Sequence, residues 1–386
     1  MFSIKKTLNR LLDRFLKGSA SEHEPDKILI VTAGIIVVFG LIMLSSATSA
    51  FAYLHHGDSY YFFKHQLFGL ALGLAAFWFF SRHDYHIWRK YAFWFLVASV
   101  ALLLLVFIPG IRGDWGTSRS WINIFGFSLQ PSELVKVSFL LYLSAWLESR
   151  RGRLKDVGEG TAPFLATLGF IAFLMLLQPD FGTLSIIALT SLVIYFVGGG
   201  SKKHILIIIL VSILALFVMI KIKPYQADRF RCYADPNFAP QEECYQVSQS
   251  LIAVGSGGFL GRGFGQSRQK FMYLPEVQSD AIFAIIGEEA GFVFSSVLVV
   301  LYIFLFYRGY LIAKLAPDGF GRILAIGIVS WITVQAAVNI GGMINLMPMT
   351  GVPLPLVSYG GSAMLASLSA LGILVNISKH TRTRNT

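Results

Sequence analysis

Long, unbroken apolar runs constrain this chain more than any other feature. Ten of them can be placed, each about the length that crosses a hydrocarbon core as a helix. They fall near 28–53, 67–81, 91–109, 134–147, 162–178, 181–198, 204–223, 281–307, 323–346 and 360–377. The runs are continuous rather than alternating, which favours helices over a membrane barrel. In lipid every backbone polar group must be satisfied internally, and helices do this segment by segment. Composition agrees, since 14% of residues are charged against about 25% in soluble domains. The expected fold is therefore all-α, a polytopic membrane protein with about ten transmembrane helices. One large extracytoplasmic loop is expected at about 224–280. The transmembrane domain covers 28–378, between an N-terminal tail, 1–27, and a C-terminal tail, 379–386.

Orientation follows from lysine and arginine, which gather in cytoplasmic loops. With the N-terminus inside, the tails and cytoplasmic loops hold 21 of the 32 Lys and Arg residues. An even number of spans puts both termini in the cytoplasm. The net charge of +11 then reflects loop charge rather than a nucleic-acid surface. Residues 1–27, basic and amphipathic, read as a cytosolic tail with a short surface helix. The exceptions to the charge rule are informative. Lys221, Lys223, Arg229, Arg231, Arg262, Arg268 and Lys270 fall on the outer face. They suit either a solvated loop or an anionic ligand at the outer surface.

Asp280 follows Pro275 and precedes an apolar helix, so it belongs at that helix's outer end. A helix dipole favours a carboxylate there. A base facing a cavity is the other reading. Glu288 and Glu289 lie deeper in the same span, where an ionisable group is a functional-site hypothesis by default. An ion pair with Lys136 or another interior cation is the structural reading. In Gln130-Pro-Ser-Glu-Leu-Val-Lys136, Ser132 suits a helix cap and Glu133 can pair with Lys136 three residues on. Arg119 lies just upstream and its planar fork matches a phosphate. Asp180 suits a cap for the sixth span. The glycine-rich run 255–265 lacks the context of a nucleotide loop. The irregular stretch Pro353–Ser362 is expected to line the same cavity as Asp280, because such backbone at membrane depth needs protein or a cavity beside it. Cys232 and Cys244 share the outer loop and read as one disulfide, the alternative being two free thiols. His83-Asp84-Tyr85-His86 lies in a cytoplasmic loop and is not read as a metal site.

Several of these motifs together resemble the SEDS family (shape, elongation, division and sporulation). The carriers are Arg119-Ser-Trp-Ile-Asn, Gln130-Pro-Ser-Glu-Leu, Gln178-Pro-Asp-Phe-Gly-Thr, Tyr245-Gln with Gln249-Ser, Gly255-Ser-Gly-Gly with Gly261-Arg-Gly-Phe-Gly-Gln-Ser, Gln269-Lys, Leu274-Pro-Glu with Asp280-Ala-Ile-Phe-Ala-Ile-Ile-Gly-Glu-Glu, and Pro353-Leu-Pro with Ser358-Tyr-Gly-Gly-Ser. They run over about residues 26–378. Ile285–Glu289, the Tyr61-Phe-Phe-Lys-His-Gln stretch and the long tail are more similar to the division branch, FtsW, than to the elongation branch, RodA. Gln278-Ser279 stands where members commonly carry His-Thr.

The resemblance implies a peptidoglycan glycosyltransferase of the bacterial cytoplasmic membrane, placed at the division septum. It would polymerise lipid II, both donor and acceptor, on the outer face, with inversion at the sugar and undecaprenyl diphosphate as leaving group. Asp280 would be the general base. Arg119, Lys136, Glu133, Arg231, Arg262, Lys270, Glu276 and Ser358 would bind substrate, with a divalent cation, Mg or Mn, as the conceivable cofactor. The implied partners are a class B penicillin-binding protein, other divisome proteins and membrane lipid, with no nucleic acid. The rival readings are a lipid II flippase, an elongation-type polymerase and a structural division scaffold.

Overall fold

The computed structural model describes residues 23–108, 112–113, 120–124, 127–222 and 224–381. Thirteen helices occur among them, and the strands are few and short. Helix α1 spans Lys27–Ala47, α2 Ser49–His56, α3 Tyr61–Arg82 and α4 Tyr85–Leu105. A small antiparallel sheet follows, of β1 Arg112–Gly113, β2 Trp121–Ile124 and β3 Phe127–Leu129. Next come α5 Pro131–Ser149, α6 Ala162–Leu177, α7 Phe181–Val197 and α8 Lys202–Ile222. The outer loop carries α9 Pro224–Ala234 and α10 Tyr245–Gly257. The bundle closes with α11 Ile282–Leu315, α12 Gly319–Met343 and α13 Gly361–Ser378.

The ten apolar runs correspond to α1, α3–α8 and α11–α13. Among the described residues, seven helical segments are long and apolar enough by themselves to cross a membrane. Helices α5, α7 and α8 complete the ten; α5 is diluted by charged side chains, and α7 has 17 residues. The first run was expected to reach residue 53, but its helix stops at Ala47 and restarts as α2, which Gly57 ends in a left-handed conformation at φ 69°. Aspartates start four of the spans. The side chains of Asp26, Asp84, Asp180 and Asp318 accept hydrogen bonds from Leu29, His86, Thr183 and Gly321 N–H groups. Each satisfies a donor that the helix start would otherwise leave unpaired. Ser132 is a correction. Gln130 occupies the cap position of α5 and Pro131 follows it, while the Ser132 hydroxyl is buried without a hydrogen-bond partner among the described residues.

Helices α12 and α13 are the most enclosed spans, each with 83% of its apolar window inside the protein. Lipid-facing side chains line the others, including Leu206, Leu210, Leu214 and Phe217 of α8. Helix α11 outruns its expected limit by eight residues and is broken at Gly291, whose φ of 72° and ψ of −172° are not helical. The glycine loop repairs that break. Arg262 and Gly263 N–H groups donate to the Glu288 and Glu289 carbonyls, and Phe292 and Val293 N–H groups donate to Gly258 and Phe259 carbonyls. Backbone freed at membrane depth is thereby satisfied within the protein. Gly257 and Gly287 let α10 and α11 touch, because a Cβ on Gly257 would lie 1.9 Å from the Gly287 carbonyl oxygen.

Candidate active site

Asp280 stands just ahead of α11, its carboxylate buried. The turn beneath it is set by Leu274–Ala281, in which Ser279 and Ala281 N–H groups donate to the Glu276 carbonyl. Glu276 itself is exposed, with a left-handed φ of 53°. Its carboxylate accepts from Gln278 and Ser279 side chains.

Three elements converge on the Asp280 carboxylate. Gln246, in the first turn of α10, places its side-chain nitrogen 3.4 and 3.5 Å from the two oxygens. Arg229 of α9 reaches over from the other side and donates to the Met349 carbonyl at 2.9 Å. Gly351 lies beside both acid and cation. A Cβ placed on it would be 3.8 Å from both Arg229 Nη2 and Asp280 Oδ2, and its φ of 74° favours glycine. Cys232 and Cys244 are joined by a disulfide, which ties the end of α9 to the start of α10.

Burial pushes the Asp280 carboxyl up to about 7, and the nearby Glu276 carboxylate adds to the rise, while Arg229 and Gln246 oppose it. Desolvation disfavours the charged form and a neighbouring cation restores part of the loss. A carboxyl poised near neutrality can take a proton from a hydroxyl and still be ionised for a large fraction of the time.

A polar stripe on α12 links the Asp280 backbone to a second buried centre. Asn339 donates to the carbonyls of Asp280 and Val352 at 2.7 and 2.8 Å. One turn earlier, Gln335 donates to the Pro353 carbonyl and accepts from Lys136 Nζ at 2.7 Å and from the Trp331 indole at 2.8 Å. Lys136 also lies 2.7 Å from Glu133, and both side chains are almost wholly enclosed. The stretch 353–359 packs beside this stripe. The Tyr359 N–H donates to the Gln278 carbonyl, the Ser358 hydroxyl accepts from the Leu354 N–H, and Gln66 of α3 donates to the Ser358 carbonyl. Ser358 therefore shapes the loop, its hydroxyl being turned to the backbone. Gly182 of α7 fits under the same loop, where a Cβ would lie 2.5 Å from the Thr350 carbonyl oxygen.

The remaining predicted residues separate into three groups. Lys270 is buried in an ion pair with Glu289 at 2.9 Å and also donates to Ser46 of α1. Glu288 accepts from the Ser267 hydroxyl and from the Arg268 and Gln269 N–H groups, with Arg262 3.7 Å away. These two glutamates thus anchor the outer loop to the bundle, and the cation that Glu289 meets is Lys270 rather than Lys136. Arg231 is mostly exposed and pairs with Asp228 on its own helix. Arg119 lies outside the described residues. Among the described residues no group of three or more His, Cys, Asp or Glu side chains is placed to hold a metal ion, so no protein ligand set for one is assigned.

Sequence reasoning placed Asp280 among outer cations but put Arg231 in the set instead of Arg229. The pattern Arg229-Phe-Arg231 offered two cations on different faces of one helix, and no local signal separates them. Gln246 stood in a motif but was given no role at the site, and Gln335 and Asn339 were missed. The last two lie four residues apart on one face of an otherwise apolar span, a signal available in the sequence.

The family described as cell cycle protein, of FtsW, RodA and SpoVE, matches residues 26–383. Stage V sporulation protein E of Bacillus subtilis is 39% identical over 94% of this chain and all of its own length. A probable peptidoglycan glycosyltransferase FtsW of Geobacter metallireducens is 36% identical over 92% of this chain and 94% of its own. Among solved structures, a chain of a peptidoglycan synthase complex that coordinates polymerization and crosslinking superposes with a TM-score of 0.75. It is 28% identical, with 92% of this chain and 97% of that chain covered. The rod shape determining protein RodA of Thermus thermophilus gives 0.67 at 27% identity, with coverages of 93% and 98%.

Proposed function

This chain belongs to the FtsW, RodA and SpoVE family of cell cycle proteins, and we propose that it is a peptidoglycan glycosyltransferase that polymerises lipid II. The reading rests on one observation above the others: a buried carboxylate, Asp280, with a guanidinium, Arg229, beside the same glycine. Asp280 takes the proton from the acceptor's 4-hydroxyl as that oxygen attacks the donor's anomeric carbon. The bond to the diphosphate breaks and the product is inverted. One carboxylate suffices because a diphosphate leaves without protonation, whereas glycosidases need two. Arg229 counters charge beside the reacting centre, and the departing diphosphate is taken by outer cations, for which Arg119, Arg231 and Arg262 are the candidates from the sequence. Groups that interact more strongly as charge develops lower the barrier. A divalent cation, Mg or Mn, would neutralise part of the diphosphate charge. Lys136 and Lys270, each neutralised by a buried glutamate, hold the site's walls rather than the phosphates.

In this reading Asp280 faces the outside of the cytoplasmic membrane and both termini face the cytosol. The tails 1–27 and 379–386 flank the transmembrane domain 28–378. The names of the relatives favour a role in septal or sporulation wall synthesis, and the synthase complex among the structural neighbours supports a class B penicillin-binding protein as partner.

The test is the product. Purified protein incubated with lipid II is expected to give glycan strands that a muramidase digests. Asp280→Asn is expected to give none while retaining the helical spectrum of the parent. Movement of lipid II across vesicles without any strands would replace this reading with a transporter.

A further inference from the structure

The outer loop contains one covalent constraint, and it lies beside the chemistry rather than at the periphery. Cys232 ends α9 and Cys244 precedes α10, and both are buried, at 1% and 0% exposure. Arg229 is three residues before Cys232, on the same side of a short helix. Gln246 is two residues after Cys244. The two side chains that oppose the rise in basicity of Asp280 therefore hang from the two halves of one disulfide. Arg229 donates to the Met349 carbonyl, and Asn345 donates to the Tyr233 carbonyl, so α9 also meets the loop after α12. Arg231 and Tyr233 on the same helix face solvent.

We propose that the Cys232–Cys244 disulfide is a positioning element of the active site: by locking α9 to α10 it holds Arg229 and Gln246 against Asp280, and polymerisation in the lower part of the pH range depends on its being oxidised. The proposal rests on the glycosyltransferase reading and adds a redox condition to it. The bond forms when two thiols lose two electrons and two protons to a disulfide-bearing oxidant on the outer face. A dithiol reductant reverses it and departs as its own disulfide. The groups facing Asp280 are Glu276 from its own turn, Arg229 from α9, Gln246 from α10 and the Asn339 amide from α12. Loosening α9 and α10 removes the two that stabilise the carboxylate and leaves Glu276 in place, so Asp280 binds its proton more tightly.

The experiment compares the full-length protein with Cys232→Ser/Cys244→Ser, Arg229→Gln and the combination, measuring the initial rate on lipid II from pH 5 to 9. The serine pair is expected to move the acid limb of the profile upward by about one pH unit, roughly tenfold in rate on that limb. Activity should return at higher pH. Arg229→Gln, which keeps the bond, is expected to move the limb in the same direction, and the combined variant no further than the larger single shift. A serine pair with the parent's profile would overturn the proposal. So would a rate lowered equally at every pH, which marks a merely structural staple, or an Arg229→Gln limb that stays in place even if the serine pair fails to fold. Failure of the parental protein to make strands would instead remove the underlying glycosyltransferase reading.

Discussion

At the scale of the residue, Asp280 carries the argument, and its surroundings give the sign of its pH dependence. Burial and Glu276 hold its carboxyl at about 7. The base is active when deprotonated, so the rate should rise through pH 7 and level off above it. A general base contributes about 10²–10⁴-fold, and Asp280→Asn is expected to lose at least that in strands formed from lipid II. Glu276→Gln removes the charge that helps push the carboxyl up. The acid limb should then move to lower pH, and a pH–rate profile with an unmoved limb would separate Glu276 from the site. Lys270 makes a contrasting case. Its removal by Lys270→Ala leaves Glu289 buried and unpaired, which costs about 3–5 kcal/mol for a broken buried pair. Thermal unfolding in detergent should reveal that loss, and Lys270→Met/Glu289→Gln should recover a large part of it.

At the scale of the element, what could be read from sequence depended on how local the cause was. Ten apolar runs and the Asp180 cap are local signals, and the corresponding helices lie within several residues of where those signals put them. The pairing of Glu133 with Lys136 was legible because three residues on a helix bring side chains together. The partner of Glu289 was not, since Lys270 reaches it only through the fold of the glycine loop. Arg229 was passed over for the same reason: its proximity to Asp280 depends on a helix in the outer loop and on Gly351 from another loop. Ser132 failed as a cap because Pro131 already fills the first helical position, leaving Gln130 outside. Gly182 shows how an element can act on the site at a distance. It seats α7 beneath the stretch that carries Gly351, and any larger side chain meets the Thr350 carbonyl. Overpacking of this kind costs about 1–3 kcal/mol. Gly182→Val should therefore lower the unfolding temperature by several degrees. It should also depress the rate at saturating lipid II more than the affinity, because Gly351 shifts beside acid and cation.

At the scale of the whole molecule, the two ends of the bundle differ in chemistry. One end carries the Asp280 turn, the disulfide and the loops 347–359 and 258–273. The other carries ion pairs that fasten helix ends: Arg308 to Asp26 at 2.5 Å, and Arg89 to Glu148. Tyr85 and His86 both meet Asp318 there, joining α4 to the start of α12. Lysine and arginine in short loops fix insertion, since moving them across the bilayer is costly, and the described loops and helix ends of this second end carry Arg82, Arg89, Lys90, Arg150, Arg151, Arg153 and Lys155. In the proposed reading this distribution orients the Asp280 end outward, where a lipid-linked donor with its sugars already exported would meet Asp280. A fluorescent reporter that matures only in the cytosol, fused after Thr386, should glow. The same reporter inserted after Phe238, within the loop between α9 and α10, should stay dark while an export-dependent phosphatase there becomes active. The reverse pattern would place Asp280 on the side where no exported substrate can reach it, and the proposed chemistry would then have to be abandoned whatever the geometry of its carboxylate.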